Sequence, residues 1–145
     1  LFILICILVL SYTFSMKIAH ALGIDRGSKY IGLAYTPIEN SDIIFPIGYI
    51  MNDEMTYYYI ADIIQRYHIR KIILGRPNKQ KDIQEKISKF MASLNYIIEN
   101  QKIEILTVEE DYTSVQSGEI ISDFKKNATT DTISAMLILE RWKKH

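Results

Sequence analysis

The chain has 145 residues, of which 48% are hydrophobic and 23% charged, and its 17 basic and 17 acidic residues balance. This composition describes one soluble globular domain with a buried core and excludes a disordered chain; the neutral balance excludes a global positive field, so any nucleic-acid surface must be local. The lone cysteine, Cys6, excludes an intrachain disulfide and a thiolate-rich zinc site, which suits a reducing, cytoplasmic location.

The opening LFILICILVLSYTFS is apolar from Leu1 to Leu10. That run is shorter than the roughly 20 residues needed to cross a bilayer, and no Lys or Arg precedes it as in a signal peptide. The expectation is an apolar leader or a start assigned too early over residues 1–15, rather than an export signal or anchor. Initiation at Met16, a domain over 16–145 and no stable membrane association follow from it. KIAHALGID then reads as a largely apolar strand, and after a Gly-containing turn YIGLAYT reads as its hairpin partner. IIFPIGYIM is a third strand, whose proline suits a strand start or a sheet edge.

The period changes in DEMTYYYIADIIQRYH, where Tyr59, Ile60, Ile63, Ile64 and Tyr67 define one helical face. Its run Tyr57–Tyr59 reads as packing rather than as a base-stacking surface. RKIILG is a short strand ended by glycine. KDIQEKISKFMASLNYIIENQ is an amphipathic helix with Ile83, Ile87, Phe90, Leu94 and Ile97 in one stripe, and KIEILTVEE returns to strand. YTSVQSGEIISDFKK and TTDTISAMLILERWKK close the chain as two helices, the last apolar on most faces and hence largely buried.

A hairpin meander followed by alternating strand and helix implies an α/β fold. Its mixed five-stranded sheet combines a three-stranded antiparallel meander with parallel strands and is flanked by helices. Parallel strands place their C-terminal ends along one edge, where open α/β sheets carry their chemistry. Those ends are Asp25, the run Gly75-Arg76-Pro77-Asn78, and Glu109-Glu110-Asp111, and Asp131 at the start of the last helix can return to the same edge. Clustered carboxylates repel unless a cation is shared, and hard oxygen ligands select Mg²⁺ or Mn²⁺. Singly, Asp25 reads equally well as a turn residue and Asp131 as an acid favoured by a helix N-terminus. Alternation puts Glu109 and Glu110 on opposite faces, and spacing leaves the choice between them open. His20 and His68 read as structural.

The blocks GIDRGSKYIGLA, ILGRPN, VEEDYTSVQS and DTISAMLILERW, in this order, resemble the signatures of the YqgF/RuvX family, Holliday-junction-resolvase-like proteins with an RNase H-like fold. The resemblance spans Met16 to about Lys144. It implies an endonuclease that hydrolyses phosphodiester bonds in precursor 16S ribosomal RNA during ribosome biogenesis. Asp25, Glu110 and Asp131 are then the catalytic and metal-holding acids, and Glu110 rather than Glu109 is the family's glutamate. It also implies a two-metal mechanism with Mg²⁺ or Mn²⁺, in which one ion activates water and the other stabilises the leaving 3′-oxygen. The substrate-binding residues it implies are Lys29, Arg76, Asn78, Lys79 and Thr113.

Two departures stand out: Asp111 replaces the family's arginine, and Tyr30 replaces a basic residue after Lys29. Two phosphate-facing cations are thereby missing, which favours weaker or altered substrate binding. The strand-four loop is also shorter than in the family, though it carries Arg76, Lys79 and Lys81, whose phosphate contacts would show as salt-dependent binding. The partners expected are structured RNA or branched DNA and ribosomal particles, with the protein a monomer or homodimer. A dimeric DNA junction resolvase and a catalytically weak nucleic-acid- or ribosome-binding module are the alternatives. Nucleotide binding of the sugar-kinase and actin kind needs two such domains, and the chain is too short for them.

Overall fold

The computed structural model describes residues 1–7, 18–39, 42–77, 81–109 and 128–145. In chain order these form β1 (His20–Arg26), β2 (Tyr30–Pro37), β3 (Phe45–Met51), α1 (Thr56–Arg66), β4 (Ile69–Arg76), α2 (Lys81–Ile97), β5 (Glu104–Glu109) and α3 (Ala128–Lys143). The helix expected over YTSVQSGEIISDFKK lies outside the described residues. The strands form one sheet in the order β3-β2-β1-β4-β5. β1 pairs antiparallel with β2, and β2 with β3, whereas β1–β4 and β4–β5 are parallel. The expected mixed sheet is thus observed, and the Pro46 strand lies on an edge, the place in a sheet where proline is tolerated. Gly48, at φ 130°, follows a register shift on that edge.

The two sheet faces differ in side-chain size. One carries Leu22, Ile24, Ile31, Leu33, Ile72 and Leu74 against Ile60, Ile63 and Ile64 of α1 and Ile87, Phe90 and Leu94 of α2. Each fully buried Leu or Ile stabilises by roughly 1.5–3 kcal/mol, so this face carries most of the apolar stabilisation. The other face is built from small residues. Ala21, Ala34 and Ile73 meet Ala135, Ile138 and Leu139 of α3, and a Cβ on Gly23 would stand 2.6 Å from Leu139 Cγ and 2.8 Å from the Ala135 carbonyl oxygen. Small side chains let α3 lie close against the strands.

α1 starts three residues later than its periodicity suggests. Asp53 Oδ1 accepts from the Met55 N–H at 2.9 Å, a local turn that occupies the backbone before the helix begins. Thr56 then bridges the junction, its hydroxyl accepting from the Asp53 N–H and donating to the Met51 carbonyl, each at 3.0 Å. The buried face is Thr56, Ile60, Ile63 and Ile64. Tyr59, expected on that face, is 44% exposed, and Tyr58 is 67% exposed. Of the three consecutive tyrosines only Tyr57 packs on the core, its ring centroid 5.7 Å from that of Phe90, while Tyr58 and Tyr59 meet each other edge to face at 5.8 Å. No described helix is long and apolar enough to cross a membrane.

Candidate active site

β1 carries Ala21, Gly23 and Asp25 on alternate positions, and strand alternation puts all three on the α3 face. Asp25 is directly opposite Gly32 of β2, and opposed residues of an antiparallel pair share a face. A Cβ on Gly32 would lie 1.9 Å from the main-chain oxygen of Asp131 and 2.2 Å from its carbonyl carbon. The first turn of α3 is therefore seated on the residue paired with Asp25. Two acids separated by most of the chain arrive on one side of one strand end.

Asp131 is only 5% exposed. Its Oδ1 lies 3.8 Å from where a Cβ of Gly27 would stand, so the carboxylate reaches over the turn that follows β1. A carboxylate this buried is costly unless hydrogen bonds, a helix N-terminus or a cation compensate it. Its first-turn place in α3 supplies the second of these. Burial also separates Asp131 from a solvated helix-start acid. Thr130, Thr132 and Ser134 are buried around it in the same turns, a polar stretch in an otherwise apolar interface.

The turn between β1 and β2 is held from outside. The Gly27 N–H donates to the Tyr30 carbonyl at 2.9 Å, and a Cβ on Gly27 would meet that oxygen at 2.6 Å. Gly27 is thus required by close approach of the backbone. Asn52, just after β3, donates from Nδ2 to the Gly27 carbonyl at 2.9 Å, and its N–H donates to the Lys29 carbonyl at 2.9 Å. Neither Asn52 nor Gly32 stands out in sequence as a site residue, although a glycine inside a strand is itself a signal of close backbone approach. Asn52→Ala removes one of these two bonds and should lower stability by about 1 kcal/mol in urea denaturation, leaving the fold intact.

The other expected residues divide into three groups. Lys29 is exposed in the turn, with its ammonium 5.3 Å from the Tyr30 ring centroid. Arg76 is exposed at the end of β4; it has the parity of Ile72 and Leu74 and so stands on the α1/α2 face, across the sheet from Asp25. Arg26 shares that face, its guanidinium 5.8 Å from the Phe90 ring centroid and its Nε buried without a hydrogen-bond partner among the described residues. Asn78, Lys79, Glu110, Asp111 and Thr113 lie outside the described residues. Among the described residues no group of three or more His, Cys, Asp or Glu is gathered as a metal site. Leu106 and Val108 of β5 pack toward α3. Glu109, of opposite parity, is exposed, and its carbonyl accepts from the Arg141 guanidinium.

His20 and His68 stand at the opposite end of β1. His20 Nδ1 is 2.7 Å from the Tyr67 carbonyl, and His68 Nδ1 is 3.0 Å from Arg70 Nη2. Burial, then the nearby Arg70 and His20, hold the His68 pKa below its ordinary value. Neither reaches the acids.

The RuvX family, described as Holliday junction resolvase, matches residues 19–144. A protein of Malacoplasma penetrans named "Putative pre-16S rRNA nuclease" is 32% identical over 83% of this chain and 91% of its own length. One of the same name from Chlamydia caviae is 34% identical over 81% and 78%. Among solved structures, Thermus thermophilus RuvC superposes with a TM-score of 0.57 at 9% identity, covering 86% of this chain and 95% of that one. Fowlpox virus resolvase with Holliday junction DNA gives 0.53 at 15%, covering 87% and 99%. At such identities the two structures bear on the fold alone, and they agree with its RNase H-like architecture. With the whole sheet and α3 inside the matched span, the chain belongs to the RuvX family.

Proposed function

We propose that this chain is a metal-dependent endonuclease that hydrolyses phosphodiester bonds in precursor 16S ribosomal RNA. The observation that carries the reading is the seating of α3 on Gly32, which brings the buried Asp131 to the face and strand end that hold Asp25. The names of the curated relatives point to the same substrate. Glu110 completes the acid set in this reading. Val108 is on the α3 side and Glu109 has the opposite parity, which sets Glu109 aside; the choice of Glu110 rests on the family resemblance.

The donor set fits hard divalent cations, being carboxylate oxygens alone, one of them withdrawn from water. Asp25, Glu110 and Asp131 would hold Mg²⁺ or Mn²⁺. When bound, a pair of such ions supplies an activated water and charge stabilisation at the leaving 3′-oxygen. The chain's own part is positioning: β1 and α3 fix two of the acids on rigid elements, and the Asn52 clamp holds the turn beside them. Lys29, Asn78, Lys79 and Thr113 are assigned to the substrate backbone at the acid edge, and Arg76, on the other sheet face, to a more distant part of the strand where it passes the end of β4, in a cytoplasmic protein that meets its RNA on ribosomal particles.

The family's description supports a second reading, a nuclease of branched DNA. Incubating the chain with labelled precursor 16S rRNA and with four-way DNA junctions, in Mg²⁺ and in EDTA, separates the two. RNA cleavage in Mg²⁺ alone is expected, weakening as salt rises. Cleavage that persists in EDTA would sink the carboxylate–metal reading, and preferential cutting of junctions would move the substrate to DNA.

A further inference from the structure

Tyr49 of β3 is directly opposite Gly32, which is directly opposite Asp25, so all three are in one row on one face of the sheet. Two strand spacings, about 10 Å, separate the first from the last. Tyr49 is 52% exposed and its neighbour Met51, paired with Tyr30, is 45% exposed. The Tyr30 and Tyr49 rings meet at 80° with centroids 5.3 Å apart, so neither ring is stacked on the other. Lys29 brings its ammonium to 5.3 Å from the Tyr30 ring centroid. An aromatic surface with a cation at its border thus adjoins the acid edge, at the position where Tyr30 replaces the expected basic residue.

We propose that Tyr49, held by Tyr30 and bordered by Lys29, stacks an unpaired base of the RNA strand whose phosphate reaches Asp25 and Asp131. Aromatic faces accept every base and a lysine beside them accepts a phosphate as a point charge, so the pairing matches a single strand more closely than a duplex. The site therefore selects substrate whose nucleotides next to the cut are unstacked. This rests on the nuclease reading for its orientation, and its test is independent of cleavage.

The test is binding, in EDTA, of a single-stranded oligoribonucleotide and of a ribose-phosphate strand of equal length lacking bases. The wild-type chain should prefer the base-bearing strand by roughly 5- to 150-fold, the worth of one stacked base. Tyr49→Ala should lose that preference and Tyr49→Phe keep it, with unchanged thermal unfolding marking both as folded. Lys29→Ala should reduce the salt dependence of binding by about one phosphate contact and leave the base preference intact. Equal binding of the two strands by the wild type, or a preference that survives Tyr49→Ala, overturns the proposal. So does a dimer of the free chain that Tyr49→Ala dissolves while base preference stays, since the surface then belongs to a second copy. Failure of the nuclease reading shows separately, as absence of Mg²⁺-dependent cutting.

Discussion

If the proposed carboxylate–metal reading holds, Asp25→Asn and Asp131→Asn should each slow cleavage of precursor 16S rRNA by on the order of a thousandfold, about 4 kcal/mol of barrier, because the divalent cation it invokes loses an anionic ligand where charge develops. Stability should move far less. Asparagine preserves shape at both positions. At Asp131 the variant loses the helix N-terminus interaction, on the order of 1 kcal/mol, and sheds the cost of holding a charge on a buried residue. Single-turnover rates paired with urea denaturation measure the two effects side by side. A second readout needs no substrate: Mg²⁺ should raise the unfolding temperature of the wild-type chain by binding its native state, and should do so less for either variant. Cleavage by Asp25→Asn at the wild-type rate removes that carboxylate from the chemistry.

The convergence of these acids is legible in sequence because topology does the work. Once β1 and β4 are recognised as parallel, their ends must share an edge, and a buried closing helix that carries Asp131 in its first turn has few places to lie. What stays hidden depends on depth and rotation. Glycine at 32 reads as one small residue in an apolar strand; only the approach of α3 to its Cα shows that any side chain would collide with the Asp131 main chain. Asn52 reads as loop, since its partners, the Gly27 and Lys29 carbonyls, belong to a turn far away in sequence. Tyr59 was expected in the core because tyrosine counts as apolar in a periodicity. The buried stripe in fact runs through Thr56, and position 59 is one residue, about 100° of helix, away from Ile60. Glu109 and Glu110 differ only in parity, which sequence leaves open; Glu109 has the parity opposite to Val108, which packs toward α3, and Glu110 lies outside the described residues.

Gly32→Ala carries the second large effect and tests the seating of α3 itself. Alanine at an ordinary strand position would be mildly stabilising, because glycine gives up more chain entropy on folding. Here its Cβ would meet the Asp131 oxygen at 1.9 Å and the Thr132 nitrogen at 2.8 Å, both backbone atoms that no rotamer change can withdraw. The helix start must lift. Overpacking of this kind costs about 1–3 kcal/mol, and a displacement near 1 Å at a reacting centre costs on the order of a hundredfold in rate. Gly23→Ala is the matched control. It presses on Leu139 Cγ at 2.6 Å and on the Ala135 oxygen at 2.8 Å, one and two turns beyond Asp131, so it should destabilise to a similar degree. Measured at a temperature where both variants are folded, Gly32→Ala should lose about ten times more cleavage than Gly23→Ala, a margin of roughly 1.4 kcal/mol in barrier. Equal losses would mean that α3 acts only as packing; the larger loss at Gly32 would tie the rate to where the first turn of α3 puts its carboxylate.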